Sequence, residues 1–168
     1  MIFKRIIKTY RNSFAGLPRD AWLLALTLFI NRAGSMVLFF LSLYLTQKLG
    51  FTVAEVGQMI SIYGLGSLIG AYGGGWLTDK MGSIRVQYFS LVLSAIGYLV
   101  LAYMTTYFSF AIVLFFTAIV NDALRPANNT AISEVCPPEL RSRGFALNRL
   151  AINVGISIGP AVGGFLAL

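Results

Sequence analysis

The sequence predicts an all-α membrane protein, a helical bundle with about five transmembrane helices. Of its 168 residues, 57% are hydrophobic and only 11% are charged, whereas a soluble domain carries about 25% charged residues. Too few charges are therefore present to cover a surface that faces water. The apolar residues also form runs of about 20 or more, which is the length a helix needs to cross the hydrocarbon core. Such runs are too long to be the strands of a membrane barrel.

Short polar or turn-forming segments divide these apolar runs into five predicted spans. The spans cover residues 21–46, 54–78, 84–104, 108–134 and 145–168. Because the connections between them are short, neighbouring helices must run antiparallel. The predicted organisation is thus a basic tail over residues 1–20, followed by a transmembrane domain over residues 21–168.

The placement of lysine and arginine predicts the orientation of the chain in the membrane. Nine basic residues lie in the tail, the second-to-third loop and the fourth-to-fifth loop, whereas the opposite side carries only Lys48. The N-terminus and both loops are therefore expected in the cytoplasm, and the bilayer is expected to be the inner (plasma) membrane of a bacterium. The mixture of apolar and basic residues over 2–14 predicts an amphipathic interfacial helix. A disordered basic leader is the alternative.

Composition also argues against several other classes of protein. The net charge is +7, but the basic residues follow the membrane sides and form no single patch, so no nucleic-acid partner is expected. The chain has no histidine, the commonest general base and metal ligand, and its one cysteine is Cys136. Because no nucleophile–base pair or metal cluster is apparent, we expect neither an enzyme nor a bound cofactor.

The turn between the second and third spans resembles a known motif. It resembles the cytoplasmic loop between the second and third helices of major facilitator superfamily transporters. The residues that fit this pattern are Gly75, Leu77, Asp79, Lys80 and Gly82. Ser83 departs from the pattern, where the family usually has a basic residue, and Arg85 supplies a charge two places later.

The fifth span carries a second motif. Gly155, Gly159 and Gly163 recur every four residues, which places them on one face and allows close approach of another helix. With Pro160 and Gly164 they resemble the fifth-helix motif of twelve-helix drug:proton antiporters, which implies a packing and gating element. A generic small-residue packing face is the alternative. A similar stripe in the second span is interpreted as packing only; its members are Gly66, Gly70 and Gly74.

The junction of the fourth and fifth spans is similar to a third, looser family pattern. Glu134 stands where the family has an acidic residue, and Arg141 and Arg143 stand where it has basic ones. The resemblance implies that Glu134 interacts with the second-to-third loop. A cytoplasmic gating cluster of Asp79 with Lys80, Arg85 and Glu134 is therefore expected.

Charged and amide side chains inside the apolar spans mark the candidate substrate or coupling site. Arg32 and Asp122 each lie roughly 17–18 Å from the expected cytoplasmic ends of their helices, at 1.5 Å per residue. Charges at such depth usually face a cavity. Arg125 and Asn129 share a helix face with Asp122. A structural ion pair, with Asp122 bonded to Arg125, is the alternative. Other mid-depth amides add polar character; they are Asn31, Asn121, Asn128 and Asn153.

The resemblance implies that the chain is the N-terminal part of a transporter whose partner is a missing C-terminal half. Its expected function is export of an amphipathic compound by alternating access, with protons as the candidate coupling ion and lipid as its surroundings. Uptake of a small metabolite, by symport or uniport, is the alternative, favoured by the cationic cavity and by Leu114, which stands where many antiporters carry arginine. A non-transporting, truncated membrane fragment is the third possibility.

Overall fold

The computed structural model describes residues 14–166, which form an all-helical arrangement. The α-helices within these residues are α1 (Arg19–Gly34), α2 (Met36–Gln47), α3 (Val53–Met81), α4 (Ser83–Leu101), α5 (Tyr107–Val135) and α6 (Arg141–Leu166). Five segments are long and apolar enough to cross a membrane, the first of which contains both α1 and α2. The prediction of an all-α membrane protein with about five spans is confirmed. The predicted interfacial helix lies, apart from Phe14, outside the described residues.

The first span contains a break that the sequence did not predict. Helix α1 ends at Gly34 and α2 begins at Met36, with Ser35 between them. The backbone N–H of Ser35 donates to the carbonyl of Asn31 at 3.0 Å, and its hydroxyl donates to the carbonyl of Arg32 at 2.7 Å. Serine can satisfy helix carbonyls through such local bonds and thereby compete with the regular helical pattern.

The chain divides into two compact units. The described part of the first unit contains residues 14–36 and 131–166, and in it α6 packs against α1. Its buried core consists of Ala21, Leu24, Ala131, Ile132 and Cys136. A Cβ atom added to Gly144 would lie 3.0 Å from both the Cys136 sulfur and the Ile132 Cγ2 atom. Small residues therefore set the close spacing at this end of α6.

The second unit contains residues 37–130, which include nearly all of α2, the whole of α3 and α4, and most of α5. Its core is a cluster of buried apolar side chains: Leu41, Leu45, Val56, Met59, Leu101, Phe110, Ala111 and Leu114. Helix α3 begins with a reciprocal cap. The Thr52 N–H donates to the Glu55 carboxylate at 2.8 Å, and the Glu55 N–H donates to the Thr52 hydroxyl at 3.3 Å, so two otherwise unsatisfied donors find acceptors.

A single glycine joins α3 to α4. Gly82 has φ 85° and ψ 153°, a backbone region that essentially only glycine occupies. Its N–H donates to the carbonyl of Thr78 at 2.9 Å and closes the end of α3. Because α4 begins at the next residue, Ser83, the whole reversal of the chain depends on this one conformation.

Helix α6 begins at Arg141, four residues before the predicted fifth span. A short 3-10 turn over Pro138–Leu140 precedes it, and the Leu140 N–H donates to the carbonyl of Pro137 at 2.9 Å. The difference arises because apolar length identifies only the part of a helix that lies in hydrocarbon. The exposed Arg141 and Arg143 extend the helix by one turn beyond that part.

Candidate substrate and gating sites

Helix α5 presents a polar stripe on an accessible face. Asp122 is half-buried, and Arg125 and Asn129 are exposed. The helix continues through all three despite Pro126, so their spacing places them on one side. Charged groups in the middle of a membrane-length helix are costly in lipid and usually face a water-filled cavity or protein. The stripe can therefore offer both signs of charge and an amide to a solute.

The asparagines on the buried side of α5 have a different environment. Asn121 is 1% exposed and Asn128 is fully buried. The Asn121 amide donates to the hydroxyl of Tyr63 at 3.4 Å, and the Asn128 amide donates to the side-chain carbonyl of Gln87 at 3.3 Å. These amides bond α5 to α3 and α4. They therefore act in helix packing, whereas the sequence grouped them with the polar residues of the site.

Helix α4 contributes a buried polar stripe that sequence reasoning missed. Its members are Ser83, Gln87, Ser90 and Ser94, each 5% exposed or less. They recur at i, i+4, i+7 and i+11, which is the helical spacing that would have identified a polar packing face. Through Gln87 this stripe meets α5.

Arg32 and Asn31 lie near the end of α1 and are both half-buried. The backbone of α6 lies directly against this segment. A Cβ atom added to Gly155 would be 2.8 Å from the Phe29 carbonyl oxygen and 3.0 Å from the Cβ of Arg32. This close approach fixes the position of the Arg32 Cβ atom, from which the side chain extends. The predicted approach of Arg32 to Asp122 stays a prediction.

The contact between α6 and α1 continues one turn further along. A Cβ atom at Gly159 would lie 2.6 Å from the carbonyl oxygen of Ala33. Pro160 lies inside the helix, which continues to Leu166. Gly163 is half-buried, whereas a Cβ atom at Gly164 would have no neighbour within 4 Å among the described residues.

The second glycine stripe brings α3 equally close to α5. A Cβ atom at Gly66 would lie 2.6 Å from the Phe115 carbonyl oxygen, and one at Gly74 would lie 2.5 Å from the Cα of Ala123. Between them, a Cβ atom at Gly70 would overlap the backbone of Ile119. Only glycine fits at these positions because the partner is backbone, which no side-chain rotation can move aside.

The residues of the predicted gating loop lie at the turn between α3 and α4. Asp79, Lys80 and Arg85 are exposed, and the Lys80 ammonium lies 3.9 Å from the centre of the Trp76 ring. Gly75 has open space where a Cβ atom would be. Glu134 is exposed near the end of α5. The charge cluster that would join Glu134 to this loop stays a prediction.

Two further residues of the fourth-to-fifth junction have defined environments. The Arg143 guanidinium donates to the carbonyl of Ala15 at 3.3 Å, which ties the start of α6 to the segment before α1. Cys136 is buried, and burial raises the pKa of its thiol while the positive charge of Arg141 lowers it. A thiol with a raised pKa is mostly protonated at neutral pH and is a poor nucleophile.

Comparison with known proteins identifies the family. The model of the Major Facilitator Superfamily matches residues 24–168. The chain belongs to this superfamily. Its members are transporters rather than enzymes, and they act in membranes on small-molecule substrates. The chain therefore belongs to a family of multi-pass membrane transporters.

Individual relatives carry several different transport names. The chain is 31% identical over 148 residues to a multi-drug resistance efflux pump PmrA homolog of Lactococcus lactis, covering 86% of this chain and 36% of that protein. It is 30% identical to the multidrug resistance protein MdtG of Proteus mirabilis, covering 84% and 36%. It is 31% identical to the 4-hydroxybenzoate transporter PcaK of Acinetobacter baylyi, covering 91% and 34%. The chain spans about a third of the length of these relatives.

Proposed function

We propose that the complete protein is a secondary active transporter that exports amphipathic compounds by alternating access. The present chain would supply most of its N-terminal half, and a C-terminal half would complete the solute pathway. The observation that carries this proposal is the accessible polar stripe of Asp122, Arg125 and Asn129 on α5. A solute site near the middle of the membrane, between two halves that rock, is the usual arrangement in such transporters.

The relatives named as multidrug resistance proteins support export as the direction of transport. Amphipathic substrates also suit a pathway that combines a few charges with extensive apolar surface. In this proposal Asp122 takes up the coupling proton when the solute leaves and releases it when the next solute binds, since it is the carboxylate of the stripe. Arg32 and Asn31 would face it from α1.

The membrane orientation follows from the distribution of basic residues. Lys80 and Arg85 lie at the helix ends on either side of Gly82, and Arg141 and Arg143 lie in the first turn of α6. The N-terminal tail is expected on the same side of the membrane as these residues. The positive-inside rule supports a cytoplasmic N-terminus and cytoplasmic turns, and the bacterial relatives support a bacterial inner membrane. Asp79 and Glu134 would hold the gate on that side.

Uptake of a small anionic metabolite is the second candidate. The relative named as a 4-hydroxybenzoate transporter is as similar to this chain as the efflux proteins are. Leu114, which stands where many antiporters carry arginine, is fully buried in the core of the second unit. Arg32 and Arg125 would bind an anion in such a protein.

A paired transport assay tests the two candidates. The full-length protein is expressed in bacteria that lack their own multidrug pumps, and cells are either loaded with ethidium or supplied with external labelled 4-hydroxybenzoate. Export predicts faster loss of ethidium than in cells with Asp122→Asn, and loss of that advantage when an uncoupler removes the proton gradient. Faster uptake of 4-hydroxybenzoate, with no effect on ethidium, would instead establish the second candidate.

The proposed gating role of Asp79 is tested by a separate substitution. Asp79→Asn should reduce transport in either assay and leave the amount of protein in the membrane unchanged, because the carboxylate lies exposed at a turn. Unchanged transport in this variant would remove the gating role of Asp79.

A further inference from the structure

A groove runs along the surface of the second unit where α3, α4 and α5 meet. Its volume is about 190 Å³. The floor is formed by Gly70, Gly74 and Ala123, and the walls include Leu77 from α3 and Leu93 from α4. Of the three glycines of α3 that line the groove, Gly73 has open space where a Cβ atom would be, whereas Gly70 and Gly74 lie against the backbone of α5.

Both the size and the chemistry of the groove are unsuited to a transported solute. Sites for drug-sized ligands measure about 300–1,000 Å³ and contain several placed polar groups. Among the lining residues here, Ser90 has the one polar side chain. Several of the apolar lining side chains are exposed, most of all Ile69 (52%) and Phe89 (50%). Such a surface fits a hydrocarbon chain that enters from the side.

The groove ends at the turn between α3 and α4, where Met81 and Val86 line it. Trp76 and Tyr88 flank this turn and are largely exposed, and amphipathic aromatic rings of this kind mark the level of the lipid headgroups. Lys80 and Arg85 each directly precede a lining residue and are exposed. The ring of Trp76 lies beneath the Lys80 ammonium. An apolar groove therefore ends beside two cations at headgroup level.

We propose that this groove binds an anionic phospholipid, with one acyl chain along α3 and α4 and the phosphate held by Lys80 and Arg85. Charge complementarity favours this occupant, because a lipid phosphate brings a negative charge to the two cations at the end of the groove and a neutral apolar partner does not. Basic residues near a membrane surface attract anionic lipids by about fivefold in affinity each. Two of them predict a preference of roughly 25-fold for an anionic over a zwitterionic lipid with the same acyl chains.

Native mass spectrometry of the full-length protein in detergent tests the proposal. Phosphatidylglycerol and phosphatidylcholine with identical acyl chains are titrated separately, and the fraction of protein with one bound lipid is measured. We expect phosphatidylglycerol to saturate a single tight site, and phosphatidylcholine to bind at least tenfold more weakly. Equal affinity for the two lipids would overturn the proposal.

The groove itself is tested by Gly73→Leu. Gly73 lines the groove, and a Cβ atom there would meet open space, so leucine fills the groove without displacing another helix. The matched control is Gly64→Leu, since Gly64 lies on the same helix, outside the groove, with equally open space. We expect Gly73→Leu to abolish the tight site and Gly64→Leu to preserve it. Preserved tight binding in Gly73→Leu would overturn the proposed position of the chain.

The headgroup contact is tested by the double variant Lys80→Gln/Arg85→Gln, with lipid binding as its readout. The affinity for phosphatidylglycerol should fall to about the affinity for phosphatidylcholine. A full preference in this variant would overturn the role of the two cations. In a second measurement, Gly73→Cys should react with a maleimide once lipid is removed. If the thiol stays blocked in the delipidated protein, a protein segment covers the groove and the lipid proposal fails.

Discussion

The two units of the chain each contain a pair of helices held together by glycine, and the two contacts differ in what they hold. In the second unit, the glycines of α3 lie against Phe115, Ile119 and Ala123 of α5, which are apolar. In the first unit, Gly155 and Gly159 of α6 lie against a part of α1 that contains Arg32. The contact between α3 and α5 sets only the spacing of two helices. The contact between α6 and α1 also sets the position of a charged side chain.

The two contacts are related in chain order. Exchanging the first span with the fourth, and the second with the fifth, converts the pair of α3 and α5 into the pair of α6 and α1. Inverted repeats of three helices, as found in many transporters, produce this exchange. The sequence had already suggested that Arg32 and Asp122 occupy equivalent depths in the first and fourth spans. The glycine contacts extend that relation from single residues to pairs of helices.

The largest effect is expected from Gly70→Leu. A side chain at this position would overlap the backbone of Ile119, so the cost should exceed the about 1–3 kcal/mol of ordinary overpacking. We expect loss of the folded protein, measured as the fraction that remains monodisperse in size-exclusion chromatography. Gly64→Leu on the same helix is the control, and it should behave as the wild type. A monodisperse Gly70→Leu protein would show that α3 and α5 do not approach this closely.

A smaller effect on stability, with a larger effect on transport, is expected from Gly159→Leu. The leucine would meet the Ala33 carbonyl and push α1 away from α6 close to Arg32. We expect a loss of about 1–3 kcal/mol in stability and at least a tenfold loss of transport rate in the full-length protein. The control is Gly164→Leu, at which a Cβ atom has open space. If both variants transport equally well, the α1–α6 contact does not position the site.

The smallest effect is expected from Gly82→Ala. Alanine can adopt the φ and ψ of Gly82 only at a cost of about 1–3 kcal/mol, while it adds little volume in open space. We expect a lowered thermal midpoint with no change in the oligomeric or folded state. The neighbouring Gly75→Ala is the control, because Gly75 lies inside α3 and has no positive φ. An equal midpoint for the two variants would contradict the strained turn.

Length and apolar runs predicted the five spans because hydrocarbon imposes a fixed thickness on each one. The break at Ser35 was not predicted because apolar length alone defined the first span, although Gly34 and Ser35 form a pair of the kind at which helices often bend. At this position the serine hydroxyl donates to the carbonyl of Arg32, a local bond that can compete with the regular helical pattern. The early start of α6 escaped for a related reason, because Arg141 and Arg143 extend a helix without being apolar.

Side-chain identity predicted which residues are unusual in a membrane, but not which way each one faces. Asn128 and Asn129 are neighbours in the sequence, yet the first is fully buried and bonded to Gln87, and the second is exposed. Successive residues on a helix point about 100° apart, so a face is assigned only when the packed neighbour is known. The glycine stripes were easier, because spacing alone indicated a close contact. Spacing did not identify the partner helix.

The most direct test of the account is a charge exchange between Arg32 and Asp122, since both are proposed to face the solute pathway. Transport rates are compared for the wild type, Arg32→Asp, Asp122→Arg and the double exchange in the full-length protein, at equal amounts in the membrane. An uncompensated charge in a low-dielectric site costs about 3–5 kcal/mol, so each single variant should lose transport by about 100-fold or more. The double exchange should recover part of it if the pair is mainly structural. Wild-type transport in either single variant would contradict the account.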